Sequence, residues 1–240
     1  MHALRPGPYD QPWLLAVAAP AEARAIAQAV TDIDHTSDLE RAQHEPWRTI
    51  ALSHRLHLVL TGVGQATAAA AVARTYDPLA HAGLCSIGVG GALPDTNLQP
   101  ADIVVATHIV DAHTGLRTEA GFIDSAQMGF PPLPGLTHNT IIADTHAIDP
   151  DALPPHTRAP IATVSTCSGT DALARDVASR TNAACEAMEG FAGALAAKRL
   201  APDRPVIEIR VISNTTGDRA NQHWDLARAL SALSDLARVL

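Results

Sequence analysis

The sequence predicts an α/β fold: a single-domain three-layer sandwich with a central mixed, largely parallel sheet. Three observations carry that expectation. Short apolar runs rich in β-branched residues alternate with alanine-rich helical stretches. Glycine-rich turns follow the apolar runs directly, at Gly62 and Gly64 and again at Gly88, Gly90 and Gly91. The chain has 240 residues, 47% of them hydrophobic, enough for one full core.

The elements follow in order. Residues 13–19 form an apolar run that predicts a first strand, and Pro20 stands where a helix would start, so 21–30 is read as helix. Strands are expected at 48–52 and 56–60, the second almost wholly apolar and hence central. The segment TGVGQATAAAAVA (61–73) turns from that strand into a helix. Residues 84–87 make a strand closed by GVGG, and 103–110 a long β-branched strand. Residues 111–140 are loop-rich, with Pro131, Pro132 and Pro134, and a loop of that length reads as a lid or an interface element. Strand 161–165, helix 171–180, strand 183–188, helix 190–200 and strand 206–213 follow. Residues 219–240 read as one long amphipathic helix carrying Leu226, Leu230, Leu233, Leu236 and Leu240. Residues 1–11 are expected to be a disordered or surface-lying tail, and 12–240 the domain.

Composition narrows the function. Aromatic residues are only 3%, so alanine fills much of the core, and close packing with a subunit interface is expected to supply stability. A net charge of −8 without a clustered Lys/Arg stripe argues against nucleic acid as a partner. The three cysteines, Cys85, Cys167 and Cys185, are widely spaced with no CxxC, which reads as reduced thiols in a cytoplasm. No run of eighteen apolar residues occurs, so no membrane span is expected, and the N-terminus lacks a signal-peptide core. The twelve histidines are scattered, with no HExxH and no matching Cys/His set, so no metal site and no cofactor are expected.

In open α/β sheets, ligands bind beyond the carboxyl ends of the strands. Those ends carry Glu22, then Gly62 and Gly64, then Gly88 and Gly90, then Thr166 and Ser168, then Glu189, then Asn214. This predicts a polar pocket without positive charge. The glycines bring backbone N–H groups close to an anion or a sugar hydroxyl, or simply make tight turns. GVGG fails the dinucleotide fingerprint, and no Lys follows to make a phosphate loop. Glu189 sits in CEAMEGFAGA (185–194), where a core should be closing, so a partner in the protein or a ligand must meet its charge. It is either a cap of the following helix or a carboxylate accepting two hydroxyls of a vicinal diol. Glu22 is either a first-turn helix acid or a working carboxylate. Glu186 is expected on the other face or at solvent, without chemistry.

Four stretches in order resemble the purine nucleoside phosphorylase and nucleosidase superfamily: TGVGQATAAAA (61–71), SIGVGGAL (86–93), ACEAMEGFAGA (184–194) and RVISNTTG (210–217). Two more, 101–132 with its GF…GFP pattern and TVSTCSGTDALA (163–174), are similar to the futalosine hydrolase family. That resemblance implies a nucleoside phosphorylase-like fold and a small-molecule nucleoside as partner. It also implies hydrolysis of futalosine with release of hypoxanthine, on one route to menaquinone.

It implies roles as well. Glu189 matches the carboxylate that holds the ribose 2′- and 3′-hydroxyls, with Met188 packing under the sugar. Glu22 matches the acid that activates water. Asn214 stands where adenine-directed relatives carry aspartate, and its amide suits the O6/N7 edge of a 6-oxopurine; otherwise it is a turn residue after a strand. Asp218 is an alternative proton donor or the cap of the last helix. Phosphorylase members hold phosphate with an arginine where this chain has Ser86, which favours water over phosphate as nucleophile. Relatives stack the base on a phenylalanine that STCSGT lacks, so Phe122, Phe130 or a partner subunit is expected to supply that face, in a homodimer or higher homo-oligomer. A nucleosidase or phosphorylase with another substrate and a non-catalytic nucleoside-binding module remain the alternatives.

Overall fold

The computed structural model describes residues 2–7 and 10–240. In chain order the elements are β1 (Trp13–Val17), α1 (Pro20–Val30), α2 (Thr36–Ala42), β2 (Ile50–Ala51), β3 (Leu56–Leu60), α3 (Gln65–Thr75), β4 (Leu84–Ala92), β5 (Ile103–Asp111), β6 (Gly115–Thr118), β7 (Gly121–Asp124), β8 (Thr140–Ile142), β9 (His156–Thr163), α4 (Asp171–Thr181), β10 (Cys185–Ala187), α5 (Gly190–Leu200), β11 (Val206–Thr215) and α6 (Leu226–Ala237). Main-sheet strands run in the order β10-β9-β5-β11-β4-β1-β3-β2, with β8 on β5. Strand β10 pairs with both β9 and β4, so this part of the sheet curls back on itself. The sheet is mixed: β1 is parallel to β3 and β4, β11 is parallel to β4, and β11 is antiparallel to β5.

The predicted three layers are present. One face packs α1, α2 and α6 through Ile26, Leu39, Leu233 and Leu236 against Leu15, Val17 and Leu58. The other packs α3 and α5 through Val72, Phe191 and Ala194 against Leu14, Val59 and Leu84. The strands between are therefore buried on both sides, which is why their sequences run apolar without alternation.

Several expected boundaries move. Strand β4 does not stop at residue 87: GVGG continues it to Ala92, because β10 and β11 pair with the glycine stretch on its two edges. The 48–52 run contributes only β2, and α2 was not anticipated. Inside 111–140 lies the two-stranded hairpin β6–β7. Strand β10 is shorter than 183–188. The last helix starts at Leu226, and 219–225 is loop. The helix is capped by Asp225, whose side chain accepts from Arg228 N, so Asp218 is not its cap. The expected tail is in part anchored: Ala3 and Leu4 are buried, Leu4 bridges Ile148, and the Trp13 indole donates to Arg5 O. Among the described residues no helix is long and apolar enough to cross a membrane.

Candidate active site

The strand ends converge on a cavity of about 380 Å³. Its lining includes Ala19, Glu22, Val63, Gly90, Ser168, Glu186, Met188, Glu189, Asn214, Arg219 and Trp224. That volume suits a small organic ligand. A second cavity, about 430 Å³, lies beside the hairpin and is lined by His108, Asp111, Phe122, Asp124, His138 and Arg180. None of the converging carboxylates borders it, so the chemistry belongs to the first.

Glu22 lies in the first turn of α1, reached because β1 ends at Val17 and Pro20 starts the helix at once. Its Oε2 accepts from Ala19 N at 2.8 Å and its Oε1 from Val89 N at 2.7 Å. The helix-acid reading of Glu22 is met, since it closes its own helix, and the residue also lines the cavity. Burial raises its pKa, against the two backbone N–H groups and the nearby Arg210, which lower it. Gly88 makes room for this arrangement. A Cβ there would sit 2.7 Å from Glu22 Oε1 and 2.9 Å from Arg210 Nη1.

Glu189 is the N-cap residue of α5 by its backbone, yet its side chain makes no capping bond. Its Oε1 accepts from Gly64 N at 3.0 Å, across 125 positions of chain, and its Oε2 from Met188 N at 3.2 Å. Arg210 Nη1 stands 3.7 Å from Oε2. Gly64 has φ of +101°, a conformation suited to glycine, which lets the loop after β3 present its N–H to the carboxylate. The partner that the charge required is therefore in the protein, and the carboxylate still faces the cavity.

Arg210 departs from expectation. It is 1% exposed, and its guanidinium lies behind the cavity wall. Its Nε donates to Glu208 Oε1 at 2.9 Å and its Nη2 to Ser86 Oγ at 2.7 Å. Burial works against its charge, but the carboxylates of Glu208 and Glu189 outweigh that and hold it protonated. Arg219 also lines the cavity, so the pocket expected to hold no positive charge has one cation on its wall and another behind it. The sequence signal for Arg210 was its alternation with Glu208 in an otherwise apolar strand.

Glu186 is a second correction. Rather than facing solvent, it is buried and lines the cavity, accepting from Ser168 N at 2.7 Å and from Ser168 Oγ at 2.6 Å. Burial raises its pKa, and the Ser168 donors lower it. Strand β10 curls against β4 with Glu186 opposite Gly91, which is what turns this residue inward.

Asn214 is positioned by a bulge. The β11–β4 register shifts between Ile212, opposite Gly90, and Asn214, opposite Gly91. The Ser213 hydroxyl lies 2.8 Å from Asn214 Oδ1, and Nδ2 donates to Thr215 O at 2.9 Å, leaving its second N–H for the cavity. Strand β4 acts as a ruler: Glu22 sits over Gly88 and Asn214 against Gly91, three residues or roughly 10 Å farther on.

The other expected residues divide. Gly90, Ser168 and Met188 line the cavity; Gly64 holds Glu189 and Gly88 makes room for Glu22, whereas Gly62 lies against Thr67, outside the lining. Gly88 and Gly90 lie within the strand rather than in turns of positive φ. Thr166 is exposed and outside the lining. Phe122 belongs to the second cavity, with the Arg180 guanidinium 4.5 Å from its ring, and Phe130 is 71% exposed. Within one chain, neither supplies an aromatic face to the first cavity. Trp224 does, and sequence reading missed it because it was assigned to a helix. Asp218 is exposed, its carboxylate 3.3 Å from Asn221 Nδ2.

A family profile described as the phosphorylase superfamily matches residues 13–239. The chain belongs to the phosphorylase superfamily. Its curated relatives include a futalosine hydrolase of Streptomyces coelicolor, 36% identical over 197 residues, covering 76% of this chain and 78% of that protein. A second, the futalosine hydrolase of Acidothermus cellulolyticus, is 33% identical over 234 residues, covering 92% of this chain and 86% of that protein. The resemblance seen in the six sequence stretches is thus borne out. The fold is shared with a 5′-methylthioadenosine/S-adenosylhomocysteine nucleosidase from Colwellia psychrerythraea in complex with adenine, with a TM-score of 0.66, 17% identity and coverage of 100% and 93% of the two chains. It is shared also with the futalosine hydrolase of Helicobacter pylori, with a TM-score of 0.63, 14% identity and coverage of 95% and 93%.

Proposed function

We propose that this protein is a nucleosidase that hydrolyses the N-glycosidic bond of futalosine, releases hypoxanthine and so serves menaquinone synthesis in the cytoplasm. The observation that carries the reading is the convergence of Glu22 and Glu189, both buried, on one cavity that ends at a neutral amide, Asn214. The curated relatives add the substrate, since both are futalosine hydrolases.

In this reading the ribose lies between Glu189 and Glu22. Glu189 accepts from the two ring hydroxyls, and Met188 packs under the sugar. As the bond between C1′ and the base nitrogen lengthens, positive charge grows on the sugar, and the two carboxylates favour it. Glu22 orients a water at C1′ and takes its proton; its raised pKa makes it a better base than a surface carboxylate. The base departs with the bonding electrons, and the free N–H of Asn214 donates to its O6/N7 edge. Water suits this site better than phosphate. Ser86 occupies the position expected for a phosphate-binding arginine, and Arg210 is already committed to Glu208, Glu189 and Ser86.

The test is purified protein with futalosine, with and without phosphate, following hypoxanthine by chromatography. Release independent of phosphate is expected. Release that requires phosphate would mark a phosphorylase, and binding without turnover a non-catalytic module. We propose in addition that the chain assembles as a homo-oligomer through the hairpin region. Leu116, Ile123, Met128 and Phe130 are exposed there, and sedimentation should show a mass above that of one chain.

A further inference from the structure

The cavity is rich in carboxylates: Glu22, Glu186 and Glu189 all line it. That suits a cationic sugar and opposes a base leaving with negative charge. Asn214 offers one neutral donor, so something else must meet that charge. The loop that follows β11 supplies a candidate. Arg219 lines the cavity, and among the described residues no carboxylate lies within 4 Å of its guanidinium. The guanidinium carbon stands 4.9 Å from the centre of the Trp224 ring. Gln222 Oε1 accepts from both Arg219 Nη1, at 3.2 Å, and Trp224 Nε1, at 2.9 Å. A cation stacked on an indole and tied to it through one shared acceptor is held in place rather than free to wander.

The loop is also stitched to the segment that carries Ser168. Arg219 N donates to Gly169 O, Gly217 N to Ser168 O and Asp218 N to Asp171 Oδ1. Trp224 bridges Asn214 through the backbone. The plate therefore stands at the Asn214 end of the cavity, away from Glu22 at the Gly88 end. Trp224 is 48% exposed and lines the cavity, so part of its indole borders the space a ligand would fill.

We propose that Arg219 is the specificity-determining cation of this site. Its guanidinium takes the carbonyl-bearing edge of the departing 6-oxopurine and the negative charge that gathers there, and Trp224 is the positioning residue that holds it. The inference rests on the nucleosidase reading, but its test does not need turnover. Hypoxanthine and adenine binding are measured by calorimetry on wild type, Arg219→Gln and Trp224→Ala, with thermal melts to establish folding. Wild type is expected to favour hypoxanthine. Arg219→Gln should weaken hypoxanthine roughly tenfold, as for the loss of one charge-assisted bond at a part-exposed site, and adenine much less. Trp224→Ala should move hypoxanthine in the same direction, and Arg219→Lys should recover part of the loss. Unchanged hypoxanthine affinity in Arg219→Gln, equal losses for both bases, or no base binding to wild type would each overturn the proposal. Futalosine left intact by wild type that still binds hypoxanthine through Arg219 would instead count against the hydrolase reading alone.

Discussion

Glu22 illustrates how one side chain is made to serve structure and chemistry together. Its two oxygens each hold a backbone N–H, so the carboxylate cannot swing away, and burial lifts its pKa. The base in the proposed reaction must be ionised. Activity should therefore fall as pH drops through a value above 4.5, the ordinary glutamate value, and kcat/KM against pH should show that limb. Glu22→Gln keeps the shape and loses the base. It is expected to lower kcat/KM by about 10²–10⁴-fold in a protein that still unfolds cooperatively, although one of the two backbone N–H groups loses its acceptor. Asn214 sets a different test. Asn214→Asp replaces a donor by an acceptor at the base edge, so the ratio of kcat/KM for 6-oxopurine over 6-aminopurine nucleosides should drop by at least about tenfold. An unaltered ratio would remove Asn214 from base recognition. Both residues were legible in the sequence because each follows an apolar strand at a place where polar groups have no structural reason to cluster. Glu186 was not legible: its direction depends on β10 pairing with β4, a contact between segments about ninety residues apart.

At the scale of the element, the strands carried the clearest signals. Doubly buried β1 and β3 are nearly continuous apolar runs, and the turn TGVG leads into α3 as its pattern predicts. The errors fell at ends. GVGG reads as punctuation, yet it lies inside β4, where Gly88 lets Glu22 and Arg210 approach and Gly90 lets the Glu186 carbonyl and the Arg210 stem approach. Residues 219–225 read as helix because they precede Leu226 without a proline or glycine to break them. In the structure they are a loop, bonded to Ser168 and Gly169 as well as to one another. The helix proper begins where Asp225 caps Arg228 N at 3.0 Å. Asp225→Ala should therefore cost about 1 kcal/mol and lower the melting temperature by roughly 2–4 °C. A full-strength helix without Asp225 would show that packing of Leu233 and Leu236 alone sets its start.

Across the whole molecule, three glutamates, Glu22, Glu186 and Glu208, are buried with their pKa values raised. A carboxyl whose folded pKa exceeds its unfolded one stabilises the fold most below the unfolded value, and that contribution is lost as pH rises through the folded value. At neutral pH the protein therefore carries a stability cost in its site, as sites that hold charge for function do. Glu186→Gln isolates the effect, because its shape and its Ser168 contact are kept while its charge is removed. Denaturant melts of both proteins from pH 4.5 upward should show the wild type losing stability relative to the variant as pH rises. A constant difference would mean that Glu186 does not change its protonation on folding.

What the sequence by itself determined was local: which runs are apolar, where the chain turns, and which polar side chains stand at strand ends. Glu22 and Asn214 were legible at that level, because β1 and β11 both run parallel to β4 and carry them to one edge of the sheet, whereas Glu189 follows β10, antiparallel to β4, and reaches the cavity through the curl of the sheet. Only the tertiary structure decided what meets them. Arg210 beneath Glu189 and Ser168 on Glu186 each join separate elements, and the Arg219–Trp224 plate is held beside Asn214 by bonds to Ser168 and Gly169. Pairing partners are set by sheet order and curl, and one strand's composition does not encode them.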